Sequence, residues 1–243
     1  MKAFLLAAGY GTRLSALTKD CPKPLVRTGG VPLICYALAL LKEAGVTSII
    51  CNLHYLPDQI TDFFARNKNF GFEIAYSFEK ELLGTGGGLK ACENFFAGEK
   101  FFMINSDIVT DLNLRSLEKD FQIHGACLAL HSVPANEATV SVSGNSIVDF
   151  KNALESNIVA TYDYMGAALL SSDIFKFLEN GFSSVVYTGF TSLIQRSSLG
   201  FYKHNGLWLD AGTEESLQMA NELFAGKFDF LVLKVKEILG PII

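Results

Sequence analysis

FLLAAGYGTRLSALTKDCPKPLV, residues 4–26, runs from an apolar segment through two glycines to an arginine and two lysines. The apolar segment predicts a first strand over residues 2–8, and its lack of polar alternation is typical of a strand buried on both faces. Gly9 and Gly11 follow, and glycine lets backbone N–H groups approach an anion that a Cβ atom would obstruct. The stretch therefore predicts a strand that ends in a phosphate-binding loop.

Arg13 and Lys23 supply the positive charge that this loop needs. A planar guanidinium binds phosphate oxygens with two hydrogen bonds, whereas an ammonium group supplies a mobile point charge. The G-x-x-x-x-G-K-[ST] sequence of a P-loop is absent, and the G-x-G at Gly9 lacks the third glycine of a dinucleotide fingerprint. Lys19 has no comparable role and is expected at the surface.

The rest of the chain alternates apolar strand patterns with helical patterns. Strands are predicted at 47–53, 72–78, 100–107 and 126–133, with shorter strands and turns over 139–170. Helices are predicted at 31–44, 57–67, 86–96 and 113–123, and again near 171–179 and 184–196. This order predicts an α/β fold with a mostly parallel mixed sheet and a smaller antiparallel insert.

Length and composition predict a single domain over residues 1–243. Hydrophobic residues make up 49% of the chain and charged residues 19%, which is enough apolar surface for a large core. Residues 226–243 are expected to form a C-terminal helical tail that packs on the domain or on a partner. Lys234, Lys236 and Glu237 interrupt this tail, so no membrane span is expected, and the short apolar start indicates a strand and a cytoplasmic protein.

The formal net charge of -5 argues against a nucleic-acid partner, because phosphate-backbone binding draws on a surplus of lysine and arginine. The five cysteines are widely spaced and lack C-x-x-C spacing. They therefore fit neither a disulfide framework nor a zinc site, and they are expected as buried free thiols.

Residues 6–26 resemble the signature L-A-A-G-x-G-T-R-L-x-x-L-T…P-K-P-L of the sugar-1-phosphate nucleotidyltransferases. The resemblance continues through LGTGGG at 83–88, NSD at 105–107, YMGAALL at 164–170 and WLDAGT at 208–213. It covers nearly the whole chain and is strongest for short single-domain members, such as N-acetylmuramate-1-phosphate uridylyltransferases and manno-heptose-1-phosphate guanylyltransferases. It implies a three-layer, Rossmann-like nucleotide-diphospho-sugar transferase fold.

The resemblance also implies a reaction in which a nucleoside triphosphate, UTP or GTP, and a sugar 1-phosphate give a nucleotide-sugar and pyrophosphate. Such an in-line displacement needs positioning, cations and Mg²⁺ to offset the repulsion between two anionic reactants. By the same resemblance Arg13 and Lys23 are the catalytic cations, and Asp107 and Asp210 hold Mg²⁺. The nucleotide-binding residues it implies are Leu6, Ala8, Gly9, Gly11, Thr12, Glu79, Gly84 and Thr85.

Gly166 matches the family glycine whose backbone meets the sugar. The acidic-lysine-proline sugar motif of many relatives is not clear, since Asp149 and Lys151 depart from its spacing. The sugar and the base stay open, and so does the oligomeric state, for which a homodimer is one option. Two alternatives also stay open: a CTP-dependent transferase acting on an alcohol phosphate such as phosphocholine, and a sensor that binds a nucleotide-sugar without chemistry.

Overall fold

The structure is a computed structural model that describes residues 1–224 and 229–243, together with the side chains of these residues except that of Ser15. Most strands belong to one large sheet. The strands are β1 (Lys2–Leu6), β2 (Arg27–Thr28), β3 (Val31–Pro32), β4 (Ser48–Leu53), β5 (Glu73–Phe78), β6 (Phe101–Asn105), β7 (Ile108–Thr110), β8 (Ala126–Ser132), β9 (Val140–Ser143), β10 (Ser146–Phe150), β11 (Tyr162–Leu170), β12 (Gly200–His204) and β13 (Trp208–Asp210).

The large sheet has nine strands in the order β5-β4-β1-β6-β11-β8-β12-β10-β9. The first four strands are parallel to one another, and so are β8 and β12. Strand β11 lies antiparallel between β6 and β8. Strand β10 is also antiparallel to its two neighbours. The predicted mostly parallel mixed sheet with an antiparallel insert is therefore confirmed.

Helices cover both faces of the sheet. The helices are α1 (Ser15–Thr18), α2 (Leu33–Glu43), α3 (Pro57–Arg66), α4 (Gly84–Ala91), α5 (Glu93–Phe96), α6 (Glu118–His124), α7 (Thr191–Ile194), α8 (Glu214–Phe224) and α9 (Asp229–Leu239). On one face α2, α3, α8 and α9 bury their apolar side chains. On the other face α4, α5 and α7 do so. This arrangement gives the three layers implied by the family resemblance.

Strand β1 shows why the central strands read as unbroken apolar runs. Ala3 and Leu5 are fully buried against the helices of one face, whereas Phe4 is fully buried in the core of the other face. The three central side chains of the strand are thus removed from water, whichever way they point. Burial of this kind places the carboxyl end of β1, at Leu6, in the middle of the molecule.

The predicted helices near 171–179 and 184–196 differ from the structure. Residues Ser172–Lys176 form a 3-10 turn, and Val186–Phe190 form a π-helical turn that leads into α7. The hydroxyls of Thr188 and Thr191 donate to carbonyls four residues earlier, at 2.9 Å in each case, and such bonds compete with the regular helical ladder. Strands β7, β12 and β13 and helix α8 were not predicted.

The C-terminal tail is helical where it is described. Residues 226–228 of the predicted tail lie outside the described residues, and α9 spans Asp229–Leu239. Leu231, Val235 and Leu239 are buried in the core that includes α2, so the tail packs on its own chain. No helix among the described residues has both the length and the apolar character needed to cross a bilayer.

All five cysteines are free. Four of them are buried, as predicted, but Cys21 is half-buried because it lies in the loop before Pro22 rather than on a core strand or helix.

Candidate active site

A cavity opens at the carboxyl ends of β1, β4 and β6. Leu6, Asn52 and Asn105 stand side by side there, since Leu6 is in register with both of the others. The cavity has a volume of about 270 Å³. Its lining consists of Leu6, Ala7, Ala8, Gly9, Lys23, Pro24, Asn52, Leu82, Gly84, Thr85, Asn105, Ser106 and Asp107. In open α/β sheets ligands bind at this edge.

The loop after β1 is closed by contacts that require glycine. Gly11 has a φ of +67°, and a Cβ atom there would lie 2.9 Å from Thr18 Cγ2 and 3.0 Å from Lys23 Cβ. The Leu14 N–H donates to the Gly11 carbonyl at 2.8 Å. Close packing of this turn brings the second glycine of the loop against the backbone segment that carries Lys23.

Lys23 lies at the floor of the cavity and forms an ion pair with Asp107. Its side chain is 11% exposed and that of Asp107 is 21% exposed. Pro22 precedes the 3-10 turn Lys23–Leu25 and fixes the direction in which the lysine leaves the backbone. Two of the predicted site residues, distant in sequence, are thus brought into direct contact.

Arg13 and Asp210 form a second pair of opposite charge, with Nη1 and Oδ2 4.0 Å apart. Both side chains are at least half exposed. Gly212 follows Asp210 closely, and a Cβ atom there would lie 2.9 Å from Arg13 Nη2, so the guanidinium lies directly over this glycine. Strand β13 holds Asp210 opposite Ile108, the residue after Asp107.

The two pairs share one electrostatic environment. Burial and then the charge of Asp107 raise the pKa of Asp210, whereas Lys23 and Arg13 lower it. Asp163 is the last contributor and raises it. The four residues predicted to perform the chemistry therefore lie close together, and Lys23 and Asp107 are the two of them that line the cavity. Within the described residues no three histidine, cysteine or acidic side chains are arranged to hold a metal ion by themselves.

A buried hydrogen-bond relay, which the sequence analysis did not predict, joins the loops on the other side of the cavity. Asn52 Oδ1 accepts from the Ala7 N–H at 3.0 Å, and Asn52 Nδ2 donates to Glu79 Oε1 at 2.7 Å. Glu79 Oε2 accepts from the Leu83 N–H at 2.8 Å. Asn52 and Glu79 are 3% and 6% exposed. A lone polar residue near the end of the apolar strand SIICNL was the signal that could have identified Asn52.

Glu79, predicted to bind the nucleotide, is not part of the cavity lining, and its carboxylate oxygens accept from Asn52 and Leu83. Gly88 makes room for it, because a Cβ atom there would lie 2.6 Å from Glu79 Oε1. The Glu79 carbonyl lies 2.8 Å from His54 Nδ1. The geometry gives Glu79 the task of holding the loop before α4.

The glycines of LGTGGG allow another segment to lie directly on α4. A Cβ atom at Gly87 would lie 1.8 Å from the Gly181 carbonyl oxygen. The Val185 N–H donates to Thr85 Oγ1 at 3.0 Å, and the Gly86 N–H donates to the Ser183 carbonyl at 2.9 Å. Gly84 and Thr85, at the start of the helix, line the cavity.

Among the remaining predicted residues, Gly11, Thr12 and Gly166 lie outside the lining of the cavity. Gly166 has a φ of +82°, and a Cβ atom there would lie 2.7 Å from Asn105 Nδ2, so it contacts the end of β6. Gly11 and Thr12 belong to the turn that carries Arg13. Leu6, Ala8 and Gly9 line the cavity itself.

Comparison with known proteins gives the following matches. The sequence model of the family described as "Nucleotidyl transferase" matches residues 2–226. Mannose-1-phosphate guanyltransferase 2 of Candida glabrata is 28% identical over 233 residues, which cover 92% of this chain and 64% of that protein. The chain thus spans less than two thirds of the length of this curated relative.

Solved structures match over nearly their full length. A Bacillus anthracis protein described as a glucose-1-phosphate thymidylyltransferase, crystallised with sucrose, has a TM-score of 0.81 and 27% identity, over 92% of this chain and 94% of that one. UDP-glucose pyrophosphorylase with bound UDP-glucose has a TM-score of 0.78 and 21% identity, over 93% of this chain and 98% of that one. The second likeness is one of fold.

Proposed function

The chain belongs to the nucleotidyl transferase family, and from this premise we propose that it joins a nucleoside triphosphate to a sugar 1-phosphate and releases pyrophosphate. The single observation that carries the proposal is the convergence of the pairs Lys23–Asp107 and Arg13–Asp210 at the mouth of a cavity lined by Gly9 and Gly84. Two cations and two carboxylates suit a reaction between two polyanions.

The cations have separate tasks in the proposed reaction. Arg13 is exposed on the turn after the glycines, where a guanidinium can bind the β- and γ-phosphates and offset the charge of the departing pyrophosphate. Lys23 is nearly buried beside Asp107, where its ammonium can bind the α-phosphate and the incoming sugar phosphate. The sugar phosphate oxygen attacks the α-phosphorus, the bond to the β-phosphate breaks, and no protein nucleophile is required.

Asp107 and Asp210 fit the demands of Mg²⁺, which binds one or two carboxylates and completes its octahedron with water and phosphate oxygens. The fit rests on geometry, since β13 holds Asp210 opposite Ile108, the residue after Asp107, and the charges of the two carboxylates act on each other. Bound there, Mg²⁺ would neutralise charge on the α-phosphate. The Lys23 ammonium, already paired with Asp107, orients that carboxylate.

The substrates of the proposed reaction are a nucleoside triphosphate and a sugar 1-phosphate. The relatives named above make GTP with mannose 1-phosphate and dTTP with glucose 1-phosphate the first pairs to test. Residues 1–243 act as one nucleotidyltransferase domain, and the use of nucleoside triphosphates favours the cytoplasm. A protein that only binds a nucleotide-sugar would not need two carboxylates together with two cations.

The test is pyrophosphate release by the full chain. The protein is incubated with Mg²⁺, one of UTP, GTP, CTP or dTTP, and a panel of sugar 1-phosphates that also includes phosphocholine, and phosphate is measured after pyrophosphatase treatment. We expect release only when both substrates are present, and its loss in Arg13→Ala. Release with phosphocholine and CTP alone would favour the alcohol-phosphate alternative, and no release with any pair would contradict catalysis.

A further inference from the structure

Asp149, the acidic residue that departs from the spacing of the family's sugar motif, is not free to bind a sugar. Asp149 is 1% exposed, and its carboxylate accepts from the N–H groups of Phe150, Leu154 and Ser156 at 2.7, 3.1 and 2.9 Å. A carboxylate that holds three backbone donors is a structural cap for the loop after β10. The sugar hydroxyls therefore need another acceptor.

Asp163 lies at the right level of the sheet to supply it. It precedes Gly166 by three residues on β11, a span of about 10 Å in an extended strand. Because β11 is antiparallel to β6, with Ala167 opposite Ile104, the start of β11 runs beyond the carboxyl end of β6. This is the edge at which the cavity opens.

Asp163 also lies on the same face as the two-stranded sheet of β7 and β13 that carries Asp210. It is directly opposite His131 of β8, and directly opposed residues point to the same side of a sheet. The His131 ring lies 5.7 Å from the Trp208 ring of β13, two residues before Asp210. The electrostatic contribution of Asp163 to Asp210 is consistent with this placement.

The carboxylate of Asp163 has capacity to spare. The Thr139 hydroxyl donates to Oδ1, and within the part of the chain that the structure describes no lysine or arginine forms an ion pair with Asp163. An ionised carboxylate can accept about four hydrogen bonds, so both oxygens retain lone pairs for a ligand. The hydrogen bond from Thr139 fixes the orientation of the carboxylate and leaves its other lone pairs available.

We propose that Asp163 accepts hydrogen bonds from ring hydroxyls of the sugar 1-phosphate and selects neutral sugars against sugars that carry a carboxylate of their own. This inference rests on the proposed nucleotidyl transfer and names its substrate class. A hydroxyl donor satisfies the carboxylate, whereas a second carboxylate at the same place is repelled and leaves the acceptor without a donor.

The test compares Asp163→Asn with the wild-type full chain, using the best nucleoside triphosphate and either glucose 1-phosphate or glucuronic acid 1-phosphate. We expect the KM for glucose 1-phosphate to rise about tenfold, as for the loss of one charged hydrogen bond, with the KM for the triphosphate unchanged. The preference for glucose over glucuronic acid should fall by a similar factor. Asp173→Asn, an exposed carboxylate on a distant turn, is the matched control.

A structural role alone is separated from recognition by sugar analogues that lack one hydroxyl at a time. The cost of Asp163→Asn should disappear with the analogue that lacks the contacted hydroxyl and persist with the others. Asp163→Ser, which keeps an acceptor for Thr139, repeats the test if the amide variant folds poorly. An unchanged sugar KM and an unchanged preference in an active enzyme overturn the inference alone, whereas a wild-type chain with no turnover overturns it together with the proposed function.

Discussion

The two sides of the cavity use polar residues in opposite ways. The nucleotide side is formed by the loops after β1, β4 and β5. Its polar groups satisfy one another in a buried relay of hydrogen bonds, which runs through the Ala7 N–H, Asn52, Glu79 and the Leu83 N–H. On the acidic side, formed by β11 and β13, Asp163 and Asp210 keep carboxylate oxygens free, and the only ion pair of Asp210 in the described residues is 4.0 Å long. Polar groups on the nucleotide side thus fix the positions of loops, whereas the carboxylates on the acidic side stay available to bind a ligand. Substitutions on the two sides should therefore separate stability from catalysis.

The largest expected effect is on the acidic side. Asp210→Asn should lower kcat/KM by about 1,000-fold, or about 4 kcal/mol, because a proposed metal ligand and a partner of Arg13 are lost. Thermal stability should hold or rise. Partial burial and the charge of Asp107 raise the pKa of Asp210, so the ionised carboxylate is less favourable in the folded than in the unfolded chain, and the neutral amide removes that difference.

Pyrophosphate release and thermal unfolding of the same preparation measure the two quantities. Asp62→Asn, an exposed carboxylate on α3, is the matched control and should change neither. A large loss of stability in Asp210→Asn would erase the contrast between the two sides.

On the nucleotide side, Asn52→Leu should change both quantities. The substitution keeps the size of the side chain but leaves the Ala7 N–H and Glu79 Oε1 without a partner, at a cost of about 2–4 kcal/mol of unfolding free energy. The KM for the nucleoside triphosphate should rise about tenfold as the loop after β1 loosens, while the KM for the sugar phosphate stays unchanged.

Urea unfolding and initial rates at varied concentrations of each substrate provide the measurement. Asn94→Leu, on the exposed face of α5, controls for the change from amide to apolar side chain. Equal increases in the KM values for both substrates would show that the effect of the relay is not confined to the nucleotide side.

Asp149→Asn tests the comparison between the two sides further. This aspartate lies on β10, away from the nucleotide side, but its carboxylate is used as a structural cap. We expect a loss of about 2 kcal/mol in unfolding free energy with both KM values unchanged. Burial raises the pKa of Asp149, but the N–H donors of Ser156, Leu154 and Phe150 outweigh it and the net shift is downward. Its stabilising effect is thus complete above the ordinary value of 3.8 and lost as the pH falls through the lowered value.

The stability difference between wild type and Asp149→Asn should therefore narrow in acid, which unfolding curves taken at a series of pH values can follow. A difference that widens on acidification would contradict the assigned role.

The smallest expected effect is that of Thr85→Val. The variant removes the acceptor of the Val185 N–H and should cost about 1 kcal/mol, which lowers the Tm by about 2–4 °C for a chain of this length. Thr85→Ser keeps the hydroxyl and should restore most of the loss. Calorimetry of the three proteins is sufficient, and a serine variant as unstable as the valine variant would indicate that the methyl group matters instead.

The sequence predicted the parts of the fold that depend on uninterrupted local patterns. Strands such as β1 and β6 are apolar except for one terminal residue each, because both faces are buried, and α2 was bounded by Pro32 and Gly45. Strands β7 and β13 escaped prediction because each has three residues, too few for a period to show. Their pairing nevertheless places Asp210 beside the end of β6.

Arg13, Lys23, Asp107 and Asp210 could be predicted as candidate site residues, because each stands in a motif and the motifs follow one another in a recognisable order. The relay through Asn52 was not, because its partners lie 45 and 27 positions away and nothing local marks them. For the same reason the engagement of Glu79 by Asn52 and Leu83 could be learned only from the structure. Contacts made across the sheet depend on strand order, which no local pattern fixes.

The insertion of β11 between β6 and β8 has a consequence for biogenesis. When a ribosome has released the chain only as far as residue 161, β6 and β8 each have an inner edge whose backbone donors and acceptors await β11. Closing the sheet then requires a segment made about 30 residues after β8 to enter between two strands already present, a non-local and therefore slow event. Nascent or truncated chains that end before residue 170 should be the forms most prone to aggregate and most dependent on chaperones.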